Sequence, residues 1–151
     1  MNDRIEAVSE ADYPEVVEVW EASVRATHDF LTEADIQFYK PLILQEYLQA
    51  VELFCVKDKG KKILGFIGIA DRKVEMLFID PVVRGKGIGK ALLLYVIREK
   101  EVNSVDVNEQ NPQAVGFYQR IGFSITGRSA TDGMGKPFPV LFMTLTKTTG
   151  S

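Results

Sequence analysis

Arg84, Gly85, Lys86, Gly87, Ile88 and Gly89 spell R-x-x-G-x-G after an apolar run, Leu77 to Ile79, and the turn that begins at Asp80-Pro81, and directly before an amphipathic stretch that continues to about Lys100. Glycines at this spacing leave no Cβ in front of the backbone N–H groups, and the start of a helix adds the positive end of its dipole. The result is an anion cradle suited to a pyrophosphate. Two other phosphate-binding patterns do not match. A P-loop requires G-x-x-x-x-G-K-[ST], but the residue five before Gly89 is Arg84, and Lys90 is followed by Ala91. A dinucleotide fingerprint requires a third glycine where Lys90 stands. The net charge of −3 over 151 residues makes Arg84, Lys86 and Lys90 a local positive spot in an acidic chain. A small anionic ligand is therefore expected, with no nucleic-acid partner and no membrane partner.

Groups able to move a proton are few. His28 is the single histidine, with Asp29 beside it; Glu75, Asp106 and Glu109 lie in or next to apolar runs, and Tyr118 follows Phe117. Phe30, Phe38 and Tyr39 fit a core and a cleft wall equally well. The lone Cys55 has no partner for an internal disulfide and reads as a small buried hydrophobe. No His/Cys cluster has metal-ligand spacing, so no metal is expected.

These residues must be held by elements whose periods can be read. Arg4 to Val8 fits a short strand, and Asp12, with Pro14 and Glu15 in the first turn, starts a helix to about Ala26. Thr32 is an N-cap candidate for a second helix carrying Glu33 and Asp35, interrupted near Pro41 and resumed over Leu42 to Ala50. The period then becomes 2. Leu53 to Lys57 and Ile63 to Ala70 form a hairpin whose Gly65 and Gly68 mark bulges, and Val74 to Ile79 is the next strand. A helix from the glycine loop leads to a buried strand, Ser104 to Asn108. Asn111 to Ile121 is a helix closed by Gly122, and Phe123 to Arg128 with Phe138 to Thr144 finish the sheet. The strand–helix–strand unit over residues 74–108 implies one parallel pair within an otherwise antiparallel, mixed sheet.

The loop R-x-x-G-x-G, the preceding Asp80-Pro81, and the later segment N-x-x-A-x-x-F-Y-x-x-x-G-F (Asn111 to Phe123) together resemble the GCN5-related N-acetyltransferase (GNAT) superfamily over about 70 residues. More narrowly, ATHDFL at Ala26 to Leu31, VNEQN at Val107 to Asn111, TGRS at Thr126 to Ser129 and GKPFP at Gly135 to Pro139 are similar to its YjaB-type bacterial branch, which implies a peptidyl-lysine acetyltransferase. The implied fold is a single-domain α/β (α+β) GNAT domain, residues 1–147, with a tail over 148–151. Its mixed, mainly antiparallel sheet has about seven strands, with a splayed parallel pair and flanking helices.

The resemblance also implies roles. Leu77, Phe78 and Ile79 would lend their backbone to the pantetheine arm of acetyl-CoA, and a free N–H there would stabilise an oxyanion. Arg84 to Lys90 would hold the pyrophosphate, including Lys86, Ile88 and Lys90 beside the glycines. Asn111 would contact the cofactor or serve only as an N-cap. Tyr118 would protonate the departing thiolate. Asp106 matches a position where some relatives carry a glutamate base, whereas the YjaB-type branch has a neutral asparagine. The amine's proton is assigned first to Asp106, then to His28 or Glu109. His28, Phe30 and Glu109 are the expected acceptor-side residues.

The implied reaction is direct attack of a primary amine, expected to be a protein lysine, on the thioester of acetyl-CoA in a ternary complex. Transfer to a small amine or antibiotic, and a non-catalytic acyl-CoA sensor, are the alternatives. At 151 residues the chain can bury about 68–70% of its unfolded surface without a staple. With one cysteine, no secretory leader and no long apolar run, a reducing cytoplasm is its expected home. A homodimer is left open.

Overall fold

The computed structural model describes residues 4–27, 31–133 and 135–146. His28, Phe30 and the segment 148–151 lie outside them. The sheet has seven strands in the order β1-β2-β3-β4-β5-β7-β6. In chain order the elements are β1 (Arg4–Ala7), α1 (Tyr13–Thr27), α2 (Glu33–Leu42), β2 (Glu52–Lys57), β3 (Ile63–Ala70), β4 (Lys73–Ile79), α3 (Ile88–Lys100), β5 (Ser104–Asn108), α4 (Pro112–Ile121), β6 (Phe123–Ser129) and β7 (Val140–Leu145). Among the described residues only β4 and β5 pair in parallel; every other neighbouring pair is antiparallel.

The apolar runs in β2 and β3 follow from helices covering both faces of the sheet. Along β2, Leu53 and Cys55 face α1 and α2, while Phe54 and Val56 face α3 and α4. Trp20, Ile36 and Phe66 anchor the first core, and Leu92, Val105 and Met143 the second. Among the described residues no helix is long and apolar enough to cross a membrane.

Two of three local features depart from the sequence reading. Asp12 does not cap α1. A single 3₁₀ turn, Glu10–Asp12, precedes that helix, and Asp12 accepts the backbone N–H of Ser9 at 3.1 Å. Thr32 does cap α2: its hydroxyl accepts the Asp35 N–H at 3.1 Å, and Asp35 accepts the Thr32 N–H at 3.0 Å. Pro41 does not interrupt this helix. It sits in the last turn of α2, and the chain continues through one wide π-turn, Ile43–Tyr47, and a tight turn, Leu48–Ala50. Pro41 removes one N–H from the ladder, and burial of Ile43 and Leu48 keeps the segment helical in a changed register.

Both strand glycines lie beside register shifts, as expected. Gly68 pairs with Met76 and Ile69 with Val74, so Glu75 is an extra residue on β4, a bulge. Gly65 adjoins a bulge too, since it pairs with Val56 while Ile63 pairs with Lys57 and Leu64 is extra on β3, and it also allows close packing: a Cβ there would stand 2.6 Å from Ile79 Cδ1 and 3.2 Å from Ile88 Cγ2.

Candidate active site

β4 and β5 are paired only at Lys73–Ser104 and Val74–Val105. Beyond this, Leu77 to Ile79 pair with β3 alone, and Asp106 to Asn108 with β7 alone. The strands part, and alternate residues of β4 turn backbone N–H and C=O groups toward the gap rather than toward a partner. A cleft of about 470 Å³ opens there, between the glycine loop and α4.

The loop supplies donors. Gly85 and Gly87 have φ of +79° and +82°, a conformation side-chain-bearing residues rarely adopt, and a Cβ on either would meet nothing within 4 Å. Gly87 is the N-cap of α3 and offers no capping side chain. The first intrahelical bond at this end runs from the Ala91 N–H to the Gly87 carbonyl. The N–H groups of Ile88, Gly89 and Lys90 therefore lack acceptors among the described residues and stand at the positive end of the α3 dipole. Gly89 needs no special φ; a Cβ there would make ordinary contacts with Phe117 and Ile79 at 3.6 to 3.8 Å. The conformational demand thus falls on the first two glycines. Arg84 Nη2 donates to Gln113 Oε1 at 2.9 Å and ties the loop to α4.

The opposite wall is α4. Asn111 caps it, its Oδ1 accepting the Ala114 N–H at 3.2 Å, which leaves the Asn111 amide N–H groups available to the cleft it lines. Tyr118 also lines the cleft and is only 5% exposed. Its ring packs edge-on against Phe117 and Phe123, and its hydroxyl has no hydrogen-bond partner among the described residues. Burial pushes its pKa well above the ordinary phenol value. A buried, unpaired hydroxyl is costly, and here it faces a space that a ligand can fill.

A second space begins where the cleft ends, with Phe78 shared between them. An inner chamber of about 300 Å³ between α1, α2 and β4 continues into an outer one of about 540 Å³. The collar common to both is Tyr39, Tyr47, Glu75, Met76 and Asp132. Among the described lining residues this groove has two carboxylates and no Lys or Arg.

The candidate carboxylates differ in their partners. Asp106 lies on the face of β5 opposite Val105 and Val107 and is held by Lys73 at 2.5 Å; it lines neither cleft nor groove. Glu109 makes a two-point ion pair with Arg128 at 2.6 and 3.0 Å, which keeps its carboxyl below the usual range. Glu75 has no ion-pair partner among the described residues. The bulge puts it beside Met76 in the collar; the residue is exposed, and the groove walls take only part of its solvent, which raises its pKa, while Lys73 opposes the rise and Asp106 and Asp71 reinforce it.

Of the residues singled out by sequence, the cleft brings together Leu77, Phe78, Ile79, Arg84, Gly85, Gly87, Ile88, Gly89, Lys90, Asn111 and Tyr118. Lys86 is exposed and does not line it; Asp106 and Glu109 stand apart. Sequence reasoning missed Ser23 and Thr27 of α1, and Gln113, Phe117 and Arg120 of α4. The last three lie on one helical face at i, i+4 and i+7, a spacing readable once α4 is drawn.

Residues 21–136 match the family model of the acetyltransferase (GNAT) domain. The chain is 39% identical over 127 residues to the peptidyl-lysine N-acetyltransferase YjaB of Escherichia coli, covering 84% of this chain and 86% of that protein. Its fold superposes on the solution structure of apo-form YjaB from Escherichia coli with a TM-score of 0.87 at 35% identity, covering 98% of this chain and all of the other. It also superposes on the PaiA N-acetyltransferase of Thermoplasma acidophilum, solved in complex with coenzyme A, with a TM-score of 0.71 at 22% identity over 94% of this chain and 98% of that one. With its glycine loop at a helix start, its parted parallel strands and this family match over most of its length, the chain belongs to the GNAT family of acetyltransferases.

Proposed function

We propose that this protein transfers the acetyl group of acetyl-CoA to the ε-amine of a protein lysine by direct attack. The observation that carries the reading is the junction at Phe78, where a cleft lined by Arg84, Lys90 and Arg120 meets a groove lined by Glu75 and Asp132. The first suits a polyanion and the second an ammonium group, with the parted strands between them.

Acetyl-CoA supplies the activated carbonyl carbon. The N–H groups of residues 85–90 hold the pyrophosphate, and Arg120 adds charge at the far end of α4. The backbone of Leu77 to Ile79 and the Asn111 amide align the pantetheine arm, and a β4 N–H turned to the gap receives charge developing on the carbonyl oxygen. The acceptor enters along the groove, its alkyl stem through the collar and its ammonium in the inner chamber, which Trp20, Phe138 and Glu75 line. A lysine amine has a pKa of about 10.4 and is almost wholly protonated near neutrality, so a base is needed. Glu75 takes the proton, its raised pKa bringing it closer to the working pH. The neutral nitrogen attacks the carbonyl carbon and gives up its second proton to water, the C–S bond breaks, and the thiolate takes the Tyr118 proton, which solvent returns. Similarity to a peptidyl-lysine N-acetyltransferase supports the choice of acceptor.

The test is thiol release on mixing the protein with acetyl-CoA and a lysine peptide, with the acetylated nitrogen located by mass spectrometry. Release with lysine peptides, and acetyl found on Nε, is expected. Release only with small amines would reassign the acceptor, and none with any amine would reduce the protein to a binder.

A further inference from the structure

Two tethers of separate chemistry cross the acceptor groove. Tyr39, on α2, donates its hydroxyl proton to Asp132 Oδ2 at 2.5 Å, joining residues 93 apart in sequence. Four residues on, Lys136 Nζ stands 4.4 Å from the centroid of the Phe38 ring. Asp132 Oδ1 meanwhile accepts the Lys136 N–H at 2.9 Å, so both tethers act on one folded turn of the β6–β7 loop. The helix that receives them is itself fixed. Lys40 pairs with Glu21 of α1 at 2.6 Å, and Glu33 takes two bonds from Arg25 at 2.8 and 3.0 Å. Tyr39 and Asp132 also belong to the collar where the inner and outer chambers meet.

We propose that α2 and the β6–β7 loop form a tied roof over the acceptor groove, in which Tyr39 is a positioning residue that sets affinity for the acceptor's alkylammonium stem. The inference rests on the acetyl-transfer reading above. A charge-assisted hydrogen bond between two chain segments fixes the collar before the acceptor arrives, so the stem meets a formed channel and less ordering is left for binding. Burial and the Asp132 carboxylate hold the Tyr39 phenol above its ordinary pKa, so it remains a donor throughout the working range. The roof lies on the far side of Phe78 from the glycine loop, and it acts on acceptor binding rather than on the cofactor or on thiolate protonation.

Tyr39→Phe keeps the ring and removes the donor. Steady-state rates with acetyl-CoA and a lysine peptide are expected to show the peptide KM raised about five- to tenfold, with kcat and the acetyl-CoA KM within about twofold of the parent. Asp132→Asn weakens the tie and also removes one of the two groove carboxylates, so its peptide KM should rise at least as far as that of Tyr39→Phe. An unchanged peptide KM in folded Tyr39→Phe overturns the proposal. So does an unchanged peptide KM in folded Asp132→Asn, because the acceptor of the tie would then be dispensable. Amide hydrogen exchange reads the tie without turnover: Tyr39→Phe should speed exchange about tenfold at Asp132 and Lys136 and leave β5 unchanged. Unchanged exchange also overturns it. A parent protein that releases no thiol with any amine defeats the acetyl-transfer reading, and exchange still decides the roof.

Discussion

The cofactor-side cleft and the acceptor-side groove share Phe78 and are built in opposite ways. Among the described residues the cleft is lined by Arg84, Lys90 and Arg120 with no carboxylate, and its donors are backbone N–H groups of one short stretch. The groove is lined by Glu75 and Asp132 with no cation, and its walls are gathered from Trp20 through Phe138. An anion of fixed shape can be held by a contiguous loop whose geometry the glycines dictate. A cation on a flexible stem needs scattered side chains brought together by the whole fold. The cleft should therefore fail through single backbone changes, and the groove through loss of particular side chains.

The largest effect is expected from Gly87→Val. A β-branched residue at φ +82° is strained, and its side chain enters the space in front of the α3 N-terminus. Calorimetry should show coenzyme A affinity reduced at least about 100-fold, with the far-ultraviolet spectrum of a folded α/β protein retained. Gly89→Ala, where ordinary contacts await the methyl group, should cost much less; equal losses at the two positions would mean that volume and not backbone conformation forms the cradle.

Tyr118→Phe comes next. General acid catalysis is worth about 10²–10⁴ in rate, so kcat should fall at least about 100-fold while acetyl-CoA affinity stays near that of the parent. Packing against Phe117 and Phe123 is kept, and removal of an unpaired buried hydroxyl should leave the melting temperature level or raise it. A rate within twofold of the parent would assign the proton to solvent.

Much of the cleft was legible because it is local. R-x-x-G-x-G fixes the positive-φ turn and the orphan donors, Asn111 and Gly122 mark the ends of α4, and strand periods placed the elements to within a residue or two. The groove was not legible, because what decides it is partnership. Asp106, Glu109 and Glu75 look alike in the chain. Lys73 and Arg128 engage the first two, and neither pairing has a sequence signature. The Glu75 bulge was half visible, as Gly68 flagged an irregularity without saying that the extra residue lies on the neighbouring strand. Pro41 misled for a related reason: burial of Ile43 and Leu48 outweighs one lost backbone bond.

That difference makes Glu75→Gln the test of the groove. A base works only when deprotonated, so kcat/KM should fall as pH drops through the Glu75 pKa, and the solvent that the groove walls displace around this exposed residue sets that limb above the ordinary glutamate value. The amide should lower kcat/KM by about 30- to 100-fold at pH 7 and recover much of it near pH 9, where the substrate supplies more neutral amine unaided. A constant ratio of variant to parent across this range would make Glu75 a charge that attracts the acceptor and not the acceptor of its proton.

Asp106→Asn should have the smallest effect and the most specific one. The carboxylate is held by Lys73 outside the groove, so kcat/KM at pH 7 should stay within about threefold of the parent. Its charge is nevertheless felt at Glu75, where Asp106 raises the pKa and Lys73 lowers it. Substitution removes the first influence and releases Lys73 to strengthen the second. Both changes favour ionised Glu75, and the acid limb of kcat/KM should move to lower pH by less than about one pH unit, since charges that are not in contact act more weakly than a direct pair. Depression at pH 7 with recovery near pH 9 would instead make Asp106 the base expected from sequence. An unmoved limb with an unchanged rate would mean that solvent in the groove screens the two carboxylates from each other, and that the Glu75 pKa is set by burial alone.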